Sequence, residues 1–122
     1  MEKNMELSLL LDFYGELLTE KVRTATEMYY NDDLSLSEIA LDMGITRQGV
    51  RDLIKRAEQN LYSFEEKLGL YKRFIKTQEG LEKLKEMLIN AKSHKDSNVQ
   101  KNEFYEEISH MTALVDKMIE EV

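Results

Sequence analysis

LSLSEIALDMGITRQGVRDLIKR, running from Leu34 to Arg56, decides how the rest of this chain is read. Ser35 can cap a helix, and Glu38 three positions on completes a capping box. Ile39, Ala40 and Met43 then supply a buried side. Ala40 falls where two helices must approach closely. Gly44 stands four residues later at a position suited to left-handed backbone, and Ile45 returns the chain to the core. Thr46 is a good N-cap for a second helix whose inward residues at helical spacing are Val50, Leu53, Ile54 and Ala57. A short capped helix, a sharp turn at glycine and a second helix with a polar, basic start make a helix-turn-helix over residues 35–57.

The exposed side of that second helix carries Arg47, Gln48, Arg51, Asp52, Lys55 and Arg56. In the DNA-binding use of the motif this helix enters the major groove, with its first residues closest to the bases. Thr46, Arg47, Gln48 and Arg51 are therefore the candidate base-reading residues and their cap. Lys55, Arg56, Lys21 and Arg23 are the candidate phosphate contacts, and Asp52 completes the candidate DNA-binding set on the exposed side of the second helix. The bland alternative is a helical hairpin with no nucleic-acid role.

With 122 residues, no proline and only five glycines, the chain has room for one modest core and a helical appendage. Its abundant Leu, Glu, Lys and Met are residues that lose little on entering a helix. An all-α fold is expected. The absence of cysteine excludes disulfides and thiolate metal sites and fits a cytoplasmic protein. No stretch approaches the roughly 20 apolar residues that span a bilayer, and the N-terminus lacks the basic region and cleavage site of a signal peptide.

The formal net charge of −7 sits awkwardly with binding to phosphate, which basic residues dominate. Its distribution matters more. Residues 47–76 hold eight basic and four acidic side chains, whereas both ends of the chain are acidic. Such asymmetry focuses a positive field on one region and opposes indiscriminate binding.

Working outward, residues 4–18 read as a first helix with Met5, Leu9, Phe13 and Leu17 on one stripe and Leu10, Tyr14 and Leu18 beside it. A second helix spans roughly 20–31 and places Val22, Ala25, Thr26, Tyr29 and Tyr30 under the helix-turn-helix. Asn31-Asp32-Asp33 ends it as a polar turn; two adjacent carboxylates without further ligands make a poor metal site. Past the motif, Leu61, Phe64, Leu68, Tyr71 and Ile75 recur at three- and four-residue steps. That stripe reads either as a homodimer seam or as packing against residues 4–18. Gly69 and Gly80 are candidate kinks or helix boundaries. The expected organisation is a helical domain over 1–60, an extension over 61–91, a polar linker over 92–102 and an amphipathic helix over 103–122 bearing Phe104, Ile108, Met111, Val115, Met118 and Ile119.

No catalytic constellation stands out. His94 falls in the polar linker, and His110 lies four residues from Glu106, the spacing of a helix-surface pair. No phosphate loop, nucleophile elbow or zinc-protease motif occurs, and the seven methionines look like core filler. No enzyme activity, metal or cofactor is expected.

Asp12-Phe13-Tyr14, Leu17-Leu18-Thr19-Glu20-Lys21, Tyr29-Tyr30, Ser35-Leu36-Ser37-Glu38-Ile39-Ala40, Arg47-Gln48 and Ile54-Lys55-Arg56 together resemble the YlxM-type family of small bacterial helix-turn-helix proteins. More distantly, the same region is similar to region four of bacterial sigma factors, which reads promoter DNA through its second helix. The resemblance implies a regulatory protein associated with the signal recognition particle pathway and no enzyme activity. The chain departs from the family pattern at Gly49 and Arg51, where the family tends to have alanine and an aromatic residue. Two functions follow as expectations: a homodimeric regulator of duplex DNA, or an accessory protein that binds the protein or RNA of the signal recognition particle.

Overall fold

The computed structural model describes residues 3–95 and 101–121. Among them are six α-helices and no strand: α1 Met5–Tyr14, α2 Glu20–Tyr30, α3 Leu36–Met43, α4 Arg47–Leu68, α5 Leu70–Lys95 and α6 Lys101–Glu120, with a single 3-10 turn at Gly15–Leu17. The chain divides into two compact units, Met1–Tyr71 and Lys72–Val122.

α4 is the spine of the first unit and packs against α1, α2 and α3. Its first half contributes Val50 and Ile54 to a cluster with Ala25, Tyr29, Ile39 and Ala40. Its second half contributes Ala57 and Leu61 to a cluster with Leu7, Leu10, Leu11, Tyr14, Leu18 and Val22. One 22-residue helix thus joins the helix-turn-helix core to a second core built on α1. Thr26, fully buried, keeps its hydroxyl satisfied by donating to the Val22 carbonyl at 2.7 Å.

Of the wide stripe expected in the first helix, Leu10, Tyr14 and Leu18 are buried, but the inward face is turned away from Met5 and Leu17. Leu7, Leu10, Leu11 and Tyr14 face inward, while Met5 is 79% and Leu17 56% exposed. Apolar residues lie nearly all round this segment, so its pattern alone does not fix which side is buried. The helix also stops early. The 3-10 turn brings Leu18 into extended backbone, from which its side chain reaches the core.

Three further boundaries differ. α4 runs unbroken past residue 60 to Leu68 and ends at Gly69 in left-handed backbone, φ 64°. Gly80 is not a helix boundary but lies inside α5, where an added Cβ would stand 2.7 Å from Met118 Sδ. α5 continues to Lys95, into the stretch expected as a linker. Of that stretch, residues 96–100 lie outside the described residues, and α6 begins at Lys101.

The stripe expected as a dimer seam is largely consumed by the chain itself. Leu61 is fully buried, and Phe64 and Tyr71 pack against the α1 core. Leu68 remains exposed and Ile75 half-buried. This is the packing against the first helix that the sequence left open beside the seam.

The second unit pairs α5 with α6. Among its described residues Ala91 and Met111 are buried, and Met118 fills the space that glycine leaves at position 80.

Candidate nucleic-acid interface

Within the helix-turn-helix the cap chemistry read from the sequence is present, whereas Thr19, which can cap the second helix by its position, makes no side-chain cap hydrogen bond. Ser35 Oγ accepts the Glu38 amide at 3.1 Å, and the Glu38 carboxylate accepts the Ser35 amide at 3.3 Å. Gly44 closes α3 at φ 67°, and the Ile45 amide donates to the Ala40 carbonyl at 3.0 Å. Thr46 Oγ1 accepts the Gly49 amide at 2.9 Å, which fixes the direction in which α4 departs. These bonds satisfy helix-end amides that would otherwise stand unpaired.

Arg47 and Gln48 emerge exposed directly after the cap. With Arg51 and Leu36 they line one open depression between the start of α3 and the first turns of α4. Leu36 was not among the sequence candidates. Its part follows from the capping box, which sets it at the first position of α3, next to the departing α4.

Gln48 does not wave free: its Nε2 donates to Asp52 Oδ1 at 2.9 Å. The second amide hydrogen and the Oε1 acceptor remain, which is the pair an adenine edge requires. Lys55 and Arg56 are exposed further along the helix, and Lys21 is exposed near the start of α2.

Arg23 is placed elsewhere. Its Nε donates to Glu27 Oε1 at 2.7 Å, and it lines a separate depression together with Asp12, Glu16 and Glu27. The Glu27 hydrogen bond, followed by the same carboxylate's charge, raises the guanidinium pKa further. A cation among three carboxylates is poorly set to meet phosphate. The structure therefore gathers Arg47, Gln48 and Arg51, keeps Lys55 and Arg56 on the same helix, and does not bring Arg23 to them.

No group of three or more His, Asp or Glu side chains that could hold a metal ion occurs among the described residues. The Asn31-Asp32-Asp33 triplet is a turn. Asp33 adopts φ 56°, and Lys3 pairs with its carboxylate.

A family described as "Putative helix-turn-helix protein, YlxM / p13 like" (UPF0122) matches residues 1–102. UPF0122 protein CPE1714 of Clostridium perfringens is 46% identical over 102 residues, covering 84% of this chain and 87% of the relative. UPF0122 protein TTE1463 of Caldanaerobacter subterraneus is 51% identical over 82 residues, covering 67% and 70%. UPF0122 protein OB1530 of Oceanobacillus iheyensis is 46% identical over 101 residues, covering 83% and 94%.

Proposed function

This chain belongs to the UPF0122 family of YlxM/p13-like helix-turn-helix proteins, and from that premise we propose that it is a non-enzymatic regulator that binds duplex DNA. The observation that carries the reading is the capped start of α4, where Arg47 and Gln48 project beside Arg51. A helix entering the major groove presents its first residues to base edges and its later ones to the flanking backbone. Arg47 and Arg51 suit guanine, Gln48 suits adenine, and Lys55, Arg56 and Lys21 serve phosphates. The protein acts in the cytoplasm, and resemblance directs the regulation to genes of the signal recognition particle pathway. No described helix is long and apolar enough to cross a membrane.

A second reading draws on charge. Residues 1–71 hold eight basic and fourteen acidic side chains, so the unit that carries the motif is itself net negative. That balance keeps open the role in which the same fold binds the protein or RNA of the signal recognition particle, and it favours the protein, since RNA phosphate meets the same repulsion as DNA.

Titration of the protein with random-sequence duplex at low and moderate salt separates the two. A DNA regulator binds at low salt and loses affinity steeply as salt rises. Absence of binding to every duplex at low salt, with capture of the particle's protein or RNA, replaces the first reading with the second.

A further inference from the structure

We infer that the second unit docks a second copy of itself, through one apolar flank of the α5–α6 hairpin, with α5 of each copy lying on α6 of the other.

The hairpin has two unlike flanks. Gly80, Leu84, Met87 and Ala91 of α5 are buried or half-buried, as are Phe104, Met111, Leu114 and Met118 of α6, and these form the inward stripes. Lys76 and Lys83 of α5 line one open depression together with Lys117 of α6, so this flank is polar. Successive helix residues are about 100° apart. Relative to the inward stripes, Leu81 and Leu88 therefore fall on the side opposite Lys76 and Lys83, and Ile108 and Val115 fall opposite Lys117. These four residues share the other flank, where they are 52%, 53%, 40% and 37% exposed. The seven-residue steps from Leu81 to Leu88 and from Ile108 to Val115 keep each pair on a continuous seam, as interhelical packing requires.

Charge selects the occupant and its orientation. From Leu70 to Lys95 there are seven basic and three acidic residues, and from Lys101 to Glu120 two basic and five acidic. Laying α5 on α5 of a second hairpin would oppose like charges. Laying α5 on α6 pairs opposite charges twice, once on each side of a two-fold axis parallel to the helices. Gly80 against Met118 sets a register in which Leu81 stands near the level of Val115 and Leu88 near that of Ile108. That axis preserves the levels, so Leu88 of one copy meets Ile108 of the other. The result is a four-helix bundle in which every neighbouring pair is antiparallel.

The family match ends at residue 102, before most of α6, so the inference rests on this chain's own residues. It is independent of the DNA reading.

Sedimentation equilibrium of the full chain at micromolar concentration is expected to give a dimer. Leu81→Gln with Leu88→Gln should weaken self-association by at least about tenfold, by the apolar area each removes, while helical circular dichroism is retained. Lys83→Gln, on the opposite flank, should leave it unchanged. Because the chain has no cysteine, orientation is read directly: equimolar Leu88→Cys and Ile108→Cys proteins should oxidise to a mixed disulfide dimer in preference to either homodisulfide. A monomeric wild type overturns the inference. So does a dimer that the paired glutamines leave intact, or preferential Leu88→Cys homodisulfide, which would put α5 on α5.

Discussion

The Tyr14 hydroxyl donates to Glu65 Oε1 at 2.6 Å and so ties α1 to the last turn of α4. The same hydroxyl accepts the Leu70 amide at 2.9 Å, and Glu65 Oε1 also accepts the Tyr71 amide at 3.0 Å. Two residues distant in sequence thus cap the start of α5, directly after the left-handed turn at Gly69. Phe64, 6.0 Å from the Tyr14 ring centroid to centroid, closes the site on one side. Tyr14→Phe keeps the ring and removes the hydroxyl, so it isolates the polar link from the packing. It is expected to cost about 1–3 kcal/mol and to speed exchange of the Leu70 amide. Hydrogen exchange followed by NMR checks this: unchanged Leu70 protection would mean that the hydroxyl does not hold the turn.

Alkaline pH should weaken the first unit. Burial, aided by the Glu65 hydrogen bond, raises the Tyr14 pKa above 10.0. Burial, with the Glu58 charge next, pushes Tyr30 up to about 12, and burial also raises Tyr62. A phenol whose folded pKa exceeds its unfolded value contributes stability that is whole below the unfolded pKa and is lost as pH climbs through the folded one. Stability should therefore hold below about pH 10 and fall from there towards pH 12. Denaturant midpoints across that range, with phenolate absorbance followed in parallel, measure it. Tyr30→Phe should flatten the upper part of the decline.

The same substitution should have opposite signs at two glycines of the motif. At Gly44, φ is 67° and no atom lies within 4 Å of an added Cβ, so alanine pays only for left-handed backbone, about 1–2 kcal/mol. At Gly49, inside α4, an added Cβ would meet Thr46 Oγ1 at 3.2 Å, a contact the cap hydroxyl can ease by a small shift. Gly49→Ala should stabilise by up to about 1 kcal/mol through helix propensity. Thermal melts of the two variants test this, and a destabilised Gly49→Ala would show that the cap hydroxyl cannot yield.

The helix-turn-helix was legible because each signal there is local. Ser35 and Glu38, Gly44, and Thr46 with Gly49 are bonds or backbone states within a few residues of each other, and the sequence displays both partners. The phase of α1 was legible only in part: Leu10, Tyr14 and Leu18 stood on the expected side and are buried, but Met5, Leu9, Phe13 and Leu17 are as apolar as they are. What chooses between the two stripes is the fit against α4, a long-range relation of the kind that Tyr14 and Glu65 express. Gly80 was opaque for the same reason: its use is to admit Met118 from another helix. At the candidate interface, residue type and position on α4 were readable. The four-residue spacing of Arg23 and Glu27 on the expected second helix already offered their pairing; that Asp12 and Glu16 of the preceding segment line the same depression was hidden until the helices were packed.

The DNA reading makes its sharpest prediction in three substitutions on one scaffold. Arg47 follows the Thr46 cap directly and is exposed, where a base edge is within reach in the groove. Arg47→Ala should lose about 1–3 kcal/mol of discrimination between preferred and altered sites, as well as affinity. Lys55, about two turns further along the same helix, is placed for the backbone. Lys55→Ala should weaken all duplexes alike and lower the salt slope by about one unit for each phosphate deprived of its lysine. Arg23 is already paired with Glu27 at 2.7 Å, beside Asp12 and Glu16. Arg23→Ala should leave both affinity and slope near wild type. Anisotropy titrations of the four proteins against a selected duplex and its altered versions, at several salt concentrations, decide the pattern. Equal losses from Arg23→Ala and Arg47→Ala would move the binding face off α4. A uniform loss from Arg47→Ala, with no change in sequence preference, would reduce Arg47 from a base contact to a phosphate contact.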